Sequence, residues 1–166
     1  MLDEGASAPP APRPEPWAEA IIFIGLQGAG KSTFYKVRFF NTHLRVNLDM
    51  LRTRHRERIL LRACVEMKSP FVVDNTNPTI ADRAGYIALA KGAAYRVSGY
   101  FFVTPPQECA RRNAARTAAE RVPPGAIWGT HKRLQGPTFA EGFDALYAVR
   151  PDGAGGFVSE EWPGEV

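Results

Sequence analysis

Cysteine is scarce in this 166-residue chain, with Cys64 and Cys109 as its two examples. Both fall in stretches patterned as helix, and no metal-type spacing surrounds them. Free thiols in a reducing compartment are expected, with a single disulfide as the alternative. Long apolar runs are also missing. None approaches the ~20 residues that a spanning helix needs, so no membrane segment is expected. The first residues, MLDEGASAPPAPRPEP, carry acids and prolines where a secretory leader needs a basic start and an apolar run. A cytoplasmic protein is the expectation. Acidic residues are the minority, 17 against 21 basic ones, which leaves a net charge of +4. That excess suits a phosphate-rich ligand but does not by itself imply nucleic acid.

What is present reads as one globular domain. Hydrophobic residues make up 45% and charged residues 23%, a balance that can bury a full core at this length. Residues 1–17 hold five prolines and little that packs, so a disordered or extended arm is expected there. A domain over 18–150 should follow, then a glycine-bearing, loop-like tail over 151–166 from which Phe157 and Trp162 could dock back. Apolar runs at 20–24, 44–48, 71–73, 95–103 and 145–149 read as strands. Between them, helical patterns cover 31–40, 50–68, 78–91, 106–116 and 126–134. Such alternation predicts an α/β fold, a mostly parallel sheet with helices on both faces.

The segment Gly25-Leu26-Gln27-Gly28-Ala29-Gly30-Lys31-Ser32 matches G-x-x-x-x-G-K-S in full. An apolar strand enters it and a helix leaves it. Glycines let the backbone turn tightly and aim amide N–H groups at oxygen anions. The helix after the loop adds its partial positive end. The pattern predicts a loop for the phosphates of ATP, with Gly28, Ala29 and Gly30 as the cradle. Lys31 would reach the terminal phosphates, Ser32 would offer its hydroxyl to Mg2+, and Thr33 would add a phosphate contact.

Ligands of an open parallel sheet sit beyond the carboxyl ends of its strands. Asp49 follows Val46-Asn47-Leu48 at such an end. It is a candidate base for a hydroxyl, or alternatively the N-cap of the next helix. Arg52 is a candidate anion contact, or a solvated helix residue. Arg54, Arg58 and Arg62 share a helical face, with Arg52 and Arg56 beside it. That face is either solvated or a nucleic-acid backbone contact. Phe71-Val72-Val73-Asp74 has the form of an apolar strand ending in a metal-side carboxylate, which the phosphate loop makes a Mg2+ candidate. Asn75, Thr76 and Asn77 form a polar loop on the same edge, followed by Arg83. Arg112 and Arg116 share a face of the helix after the fourth strand, and Thr117 to Gly125 is loop-like. They read as a closing lid that neutralises phosphoryl charge, or as a basic surface helix.

The chain resembles the 5′-hydroxyl polynucleotide kinase group of P-loop kinases. The resemblance rests on Gly28-Ala29-Gly30-Lys31-Ser32-Thr33-Phe34, Val46-Asn47-Leu48-Asp49 with Arg52, and Val73-Asp74-Asn75-Thr76-Asn77-Pro78 with Arg83 and Tyr86. It continues through Arg112-Asn113, Arg116 and Pro137-Thr138-Phe139-Ala140-Glu141-Gly142-Phe143. The matches cover about residues 20–150 and imply a five-stranded sheet of order 2-3-1-4-5 with a short lid. The resemblance carries the general-base role to Asp49, acceptor-phosphate binding to Arg52, and lid contact with ATP to Arg116, with Arg112 as a second candidate. The same comparison brings Asn75 and Arg83 in as substrate contacts. The family has Asn-Arg-Asp where this chain has Asn47-Leu48-Asp49, which removes a basic residue near the acceptor. The length leaves no room for the phosphatase and phosphopeptide-binding domains of the larger family proteins. The expected activity is ATP- and Mg2+-dependent phosphorylation of a hydroxyl, with a polynucleotide 5′-hydroxyl as leading acceptor. A nucleoside, sugar or sugar-nucleotide acceptor, and an ATPase without an acceptor, are the alternatives. No obligate protein partner is evident.

Overall fold

A computed structural model describes residues 18–164, and the expected arm at 1–17 lies outside them. Strand β1 (Glu19–Ile24) leads into helix α1 (Lys31–Arg38). Strand β2 (Leu44–Val46) leads through the single turn α2 (Leu48–Leu51) into α3 (Arg54–Met67). Then come β3 (Phe71–Val73), α4 (Ile80–Gly92), β4 (Arg96–Phe102), α5 (Pro106–Ala114) and α6 (Pro124–Arg133). A 3-10 turn at Phe139–Glu141 precedes β5 (Ala145–Pro151) and β6 (Phe157–Glu161).

The strands form one sheet of order β2-β3-β1-β4-β5-β6. The first five run parallel in the expected order. The expected count of five is corrected to six, because β6 pairs antiparallel with β5. Strand β6 comes from the segment that glycine content marked as loop. The docking of its aromatics accounts for the pairing. Phe157 meets Phe34 edge-on at 5.3 Å, and Trp162, just beyond the strand, meets Phe101 at 5.1 Å.

Period-two alternation along β1 sorts the core into two layers. Ala20, Ile22 and Ile24 face α3 and α4, where they meet Leu61, Cys64, Tyr86 and Ile87. Ile21 and Phe23 face α1, α5 and α6, where they meet Phe34, Cys109 and Ile127. Phe23 lies 5.8 Å from Phe34 and 5.1 Å from Phe102, ring to ring. Each such side chain contributes roughly 1.5–3 kcal/mol by leaving water. Both cysteines are free and buried, and burial pushes the Cys64 thiol up to about 11, so they act as small core residues.

One expected helix is two. The pattern over 50–68 breaks at Arg52, whose φ is 73°. Thr53 then starts α3 afresh, its side chain accepting from the Arg56 N–H. The break leaves Arg52 between the two helices, as the C-cap of α2, while Arg54 opens α3.

Candidate active site

The carboxyl ends of β1, β2 and β3 open onto one cavity of about 430 Å3. Gln27, Gly28, Gly30, Lys31 and Ser32 form its floor. The glycine loop is pinned below by the Gly25 N–H, which donates to the Thr76 carbonyl at 3.0 Å. Gly28 has φ +80°, and a Cβ there would stand 2.6 Å from the Cys109 carbonyl oxygen. A side chain at that position would drive the loop off α5. Ala29 lies beneath, fully buried, its N–H donating to Leu26 at 3.2 Å. The first turn of α1 has no side-chain cap and no acidic residue, so its N–H groups remain open to an anion.

Lys31 folds back over this loop. Its Nζ donates to the carbonyls of Gly25 at 3.0 Å and Leu26 at 2.6 Å. Burial pushes its ammonium down to about 8, opposed by the Asp74 carboxylate. A triphosphate would favour the charged form and restore the proton. ATP affinity is therefore expected to fall through this value, by about tenfold between pH 7 and pH 9, with proton uptake on binding above pH 8. Calorimetry in buffers of different ionisation enthalpy checks both effects. A flat profile would show that Lys31 stays charged throughout.

Ser32 Oγ donates to Asp74 Oδ2 at 3.0 Å, joining the two residues expected at the metal. Both supply hard oxygens, the donors Mg2+ prefers. Among the described residues there is no cluster of three His, Cys, Asp or Glu that could cage an ion. This set fits Mg2+ arriving with phosphates and water rather than a resident ion. Sequence reasoning overlooked Arg45, which also reaches here. Its Nη2 donates to Ser32 Oγ at 2.9 Å and its Nε to Asp74 Oδ2 at 2.8 Å. Alternation was the available signal: on β2, Arg45 must face opposite to buried Val46.

Asp49 lines the same cavity. The cap of α2 is Asn47, whose Oδ1 accepts from the Met50 N–H at 2.9 Å. Capping therefore does not occupy Asp49, and its carboxylate has no hydrogen-bond partner among the described residues. Asn75 holds this turn in place, accepting from the Leu48 N–H at 2.9 Å and donating to buried Glu57 at 3.2 Å. Arg54 joins the network through Glu57 at 2.8 Å and the Tyr86 hydroxyl at 2.9 Å. Arg54, Arg116 and Arg133 bring positive charge to the cavity wall, against Asp49, Asp82 and Glu120.

Two expected substrate residues lie elsewhere. Arg52 is exposed and outside the cavity lining, because the helix break leaves it as the C-cap of α2. Arg83 is fully buried. Its guanidinium is paired twice with Glu141, at 2.7 and 3.0 Å. It also donates to the carbonyls of Asn77, Pro78 and Gln135, so it holds loops rather than a ligand. Thr33 and Arg112 line a second cavity, of about 770 Å3, with Pro105, Arg150 and Phe157. Gly30 borders both cavities, so the loop divides them. Gln27 was also missed. Its Nε2 donates to Thr130 of α6 at 3.0 Å, while its buried Oε1 finds no donor among the described residues.

The fold and its glycine loop define a P-loop, kinase-like nucleotide-binding domain. The chain belongs to the AAA domain family, whose model matches residues 51–137. It is 29% identical over 139 residues to the bifunctional polynucleotide phosphatase/kinase of Schizosaccharomyces pombe. That alignment takes in 79% of this chain and 33% of the relative, so the chain spans about a third of that protein's length. Among solved structures, a gluconokinase from Sinorhizobium meliloti 1021 superposes with a TM-score of 0.57 at 18% identity, covering 81% of this chain and 83% of that one. The Mycobacterium tuberculosis APS kinase in complex with AMPPNP and APS superposes with a TM-score of 0.52 at 20% identity, covering 81% and 88%. At these identities the two structures speak to the fold alone. No helix among the described residues is long and apolar enough to cross a membrane.

Proposed function

We propose that this chain is an ATP- and Mg2+-dependent kinase that phosphorylates a hydroxyl, with a polynucleotide 5′-hydroxyl as the leading acceptor. The observation that carries the proposal is the unpartnered Asp49 carboxylate on the cavity that Lys31 and Ser32 floor. In this reading the nucleoside end of ATP lies in the second cavity, beside Thr33, Arg112 and Phe157. Its phosphates cross Gly30 onto the loop. Lys31 and Arg116 neutralise charge on the terminal phosphoryl. Asp49 orients the acceptor hydroxyl and takes its proton as the new O–P bond forms and the β–γ bridging bond breaks, releasing ADP. Ser32 and Asp74 would hold Mg2+, which supplies further charge neutralisation at the phosphate oxygens.

The acceptor assignment is supported by the sequence likeness to a polynucleotide phosphatase/kinase. Arg54 lines the cavity and would offer an acceptor phosphate the guanidinium that position 48 lacks. A small hydroxyl acceptor is the second reading, favoured by the mixed signs of charge on the cavity wall. Labelled ATP offered with a 5′-hydroxyl oligonucleotide, and separately with nucleosides, sugars and sugar nucleotides, separates the two. Label in the oligonucleotide supports the first reading, and label in a metabolite alone supports the second. ADP formed at full rate with no acceptor would refute both.

A further inference from the structure

We propose that Arg45 is a built-in counter-cation of the phosphate site, one that must withdraw before a divalent ion can bind. Its guanidinium sits on Ser32 Oγ and Asp74 Oδ2, the two oxygens expected to receive the metal. Nη2 lies 2.7 Å from Asp74 Oδ2 and donates to Ser32 Oγ at 2.9 Å, and Nε donates to the same Asp74 oxygen at 2.8 Å. Ser32 in turn donates to Oδ2 at 3.0 Å. The Ser32 hydroxyl thus spends its proton on Asp74 and one of its two lone pairs on Arg45. A cation at the remaining lone pair would stand beside the Arg45 guanidinium and be repelled by it.

Burial explains why such a group would be kept. The Asp74 side chain is 1% exposed, and a buried carboxylate without a counter-charge is strongly disfavoured. Arg45 meets that need when no metal is present. It also has somewhere to go. Its side chain is 26% exposed, it stands on the edge strand β2, and its guanidinium carbon lies 5.7 Å from the centre of the Tyr35 ring. The ring, itself buried, would keep its contact with the cation while the guanidinium shifts off the two oxygens. The functional consequence is ordering. A free divalent ion competes poorly with a guanidinium already in place, whereas an ion that brings phosphate ligands does not depend on these two oxygens alone. Arg45 therefore makes metal occupancy depend on nucleotide.

The proposal rests on the triphosphate reading of the loop, but its test uses Mn2+ alone, without nucleotide or acceptor. Mn2+ binding is followed by electron paramagnetic resonance in the wild type, Arg45→Met, and Arg45→Met combined with Asp74→Asn. Arg45→Met is expected to bind Mn2+ about tenfold tighter or more, and the double variant to lose that gain. Equal or weaker binding by folded Arg45→Met, with folding checked by thermal melting in EDTA, would overturn the proposal. Should that variant not fold, the wild type decides through the Arg45 Nε–H resonance. Displacement of that resonance by Mg2+ with AMPPNP is expected, and an unmoved signal in the ligand-bound protein overturns the proposal. Failure of the wild type to bind AMPPNP at all would instead refute the kinase reading, and the Mn2+ result would still stand.

Discussion

Asp49→Asn is expected to leave ATP affinity within about twofold of the wild type and to lower phosphoryl transfer by about 10²- to 10⁴-fold, the range for loss of a positioned general base. The substitution preserves size and removes only the charge and proton affinity of the carboxylate. Local structure should survive, because Asn47 caps α2 and Asn75 anchors the Leu48 N–H. Asp49 itself holds nothing. ATP binding should survive as well, since the proposed phosphate contacts are the loop and Lys31 on the cavity floor, and neither bonds to Asp49. Single-turnover transfer and nucleotide calorimetry on the same preparation check the two halves. Unchanged turnover would remove Asp49 from the mechanism, and lost ATP affinity would place it on the donor side instead.

The parts of this molecule that were legible in the sequence are those set by local chemistry. The glycine loop is written as a spacing, and its geometry comes from that spacing. The unbroken apolar run at 20–24 marked a strand buried on both faces, and the structure divides it into residues 20, 22 and 24 on one layer and 21 and 23 on the other. What escaped depends on partners distant in sequence. Arg45 gains a role only when β2 is laid beside β3 in the register that sets Val46 against Val73, bringing Asp74 within its reach. Arg54 replaces Arg52 on the cavity because Thr53 caps a new helix and Arg52 takes a positive φ. Strand β6 was hidden by the glycines of its hairpin turn, which say nothing of the aromatic contacts that secure the strand itself. Arg83 misled for a related reason. A charged residue close to a polar loop suggests a ligand, and only the packed structure reveals Glu141 as its partner.

That partnership makes Glu141→Leu the substitution with the largest expected effect on stability. Both carboxylate oxygens are used: Oε1 accepts from Arg83 Nε at 2.7 Å, and Oε2 from Arg83 Nη2 at 3.0 Å and the Thr138 N–H at 2.8 Å. Arg83 has no exposed surface, so removing the carboxylate strands a cation in the core. Breaking one side of such a pair costs about 3–5 kcal/mol. For a domain of this size that corresponds to a melting temperature lower by roughly 10 °C or more. Glu141→Gln should cost less, since it keeps an acceptor for the guanidinium and one for Thr138. Arg83→Met with Glu141→Leu should cost less than the two single changes added together, yet should not recover the wild type. The carbonyls of Asn77, Pro78 and Gln135 would still lose the donor they share. Two of these carbonyls belong to the loop that lines the cavity beside Asp49, so the weakened proteins are also expected to show a raised KM for the acceptor before kcat falls. A melting temperature unchanged in Glu141→Leu would mean that Arg83 reaches water or another anion, and that this loop is held by something other than the buried pair.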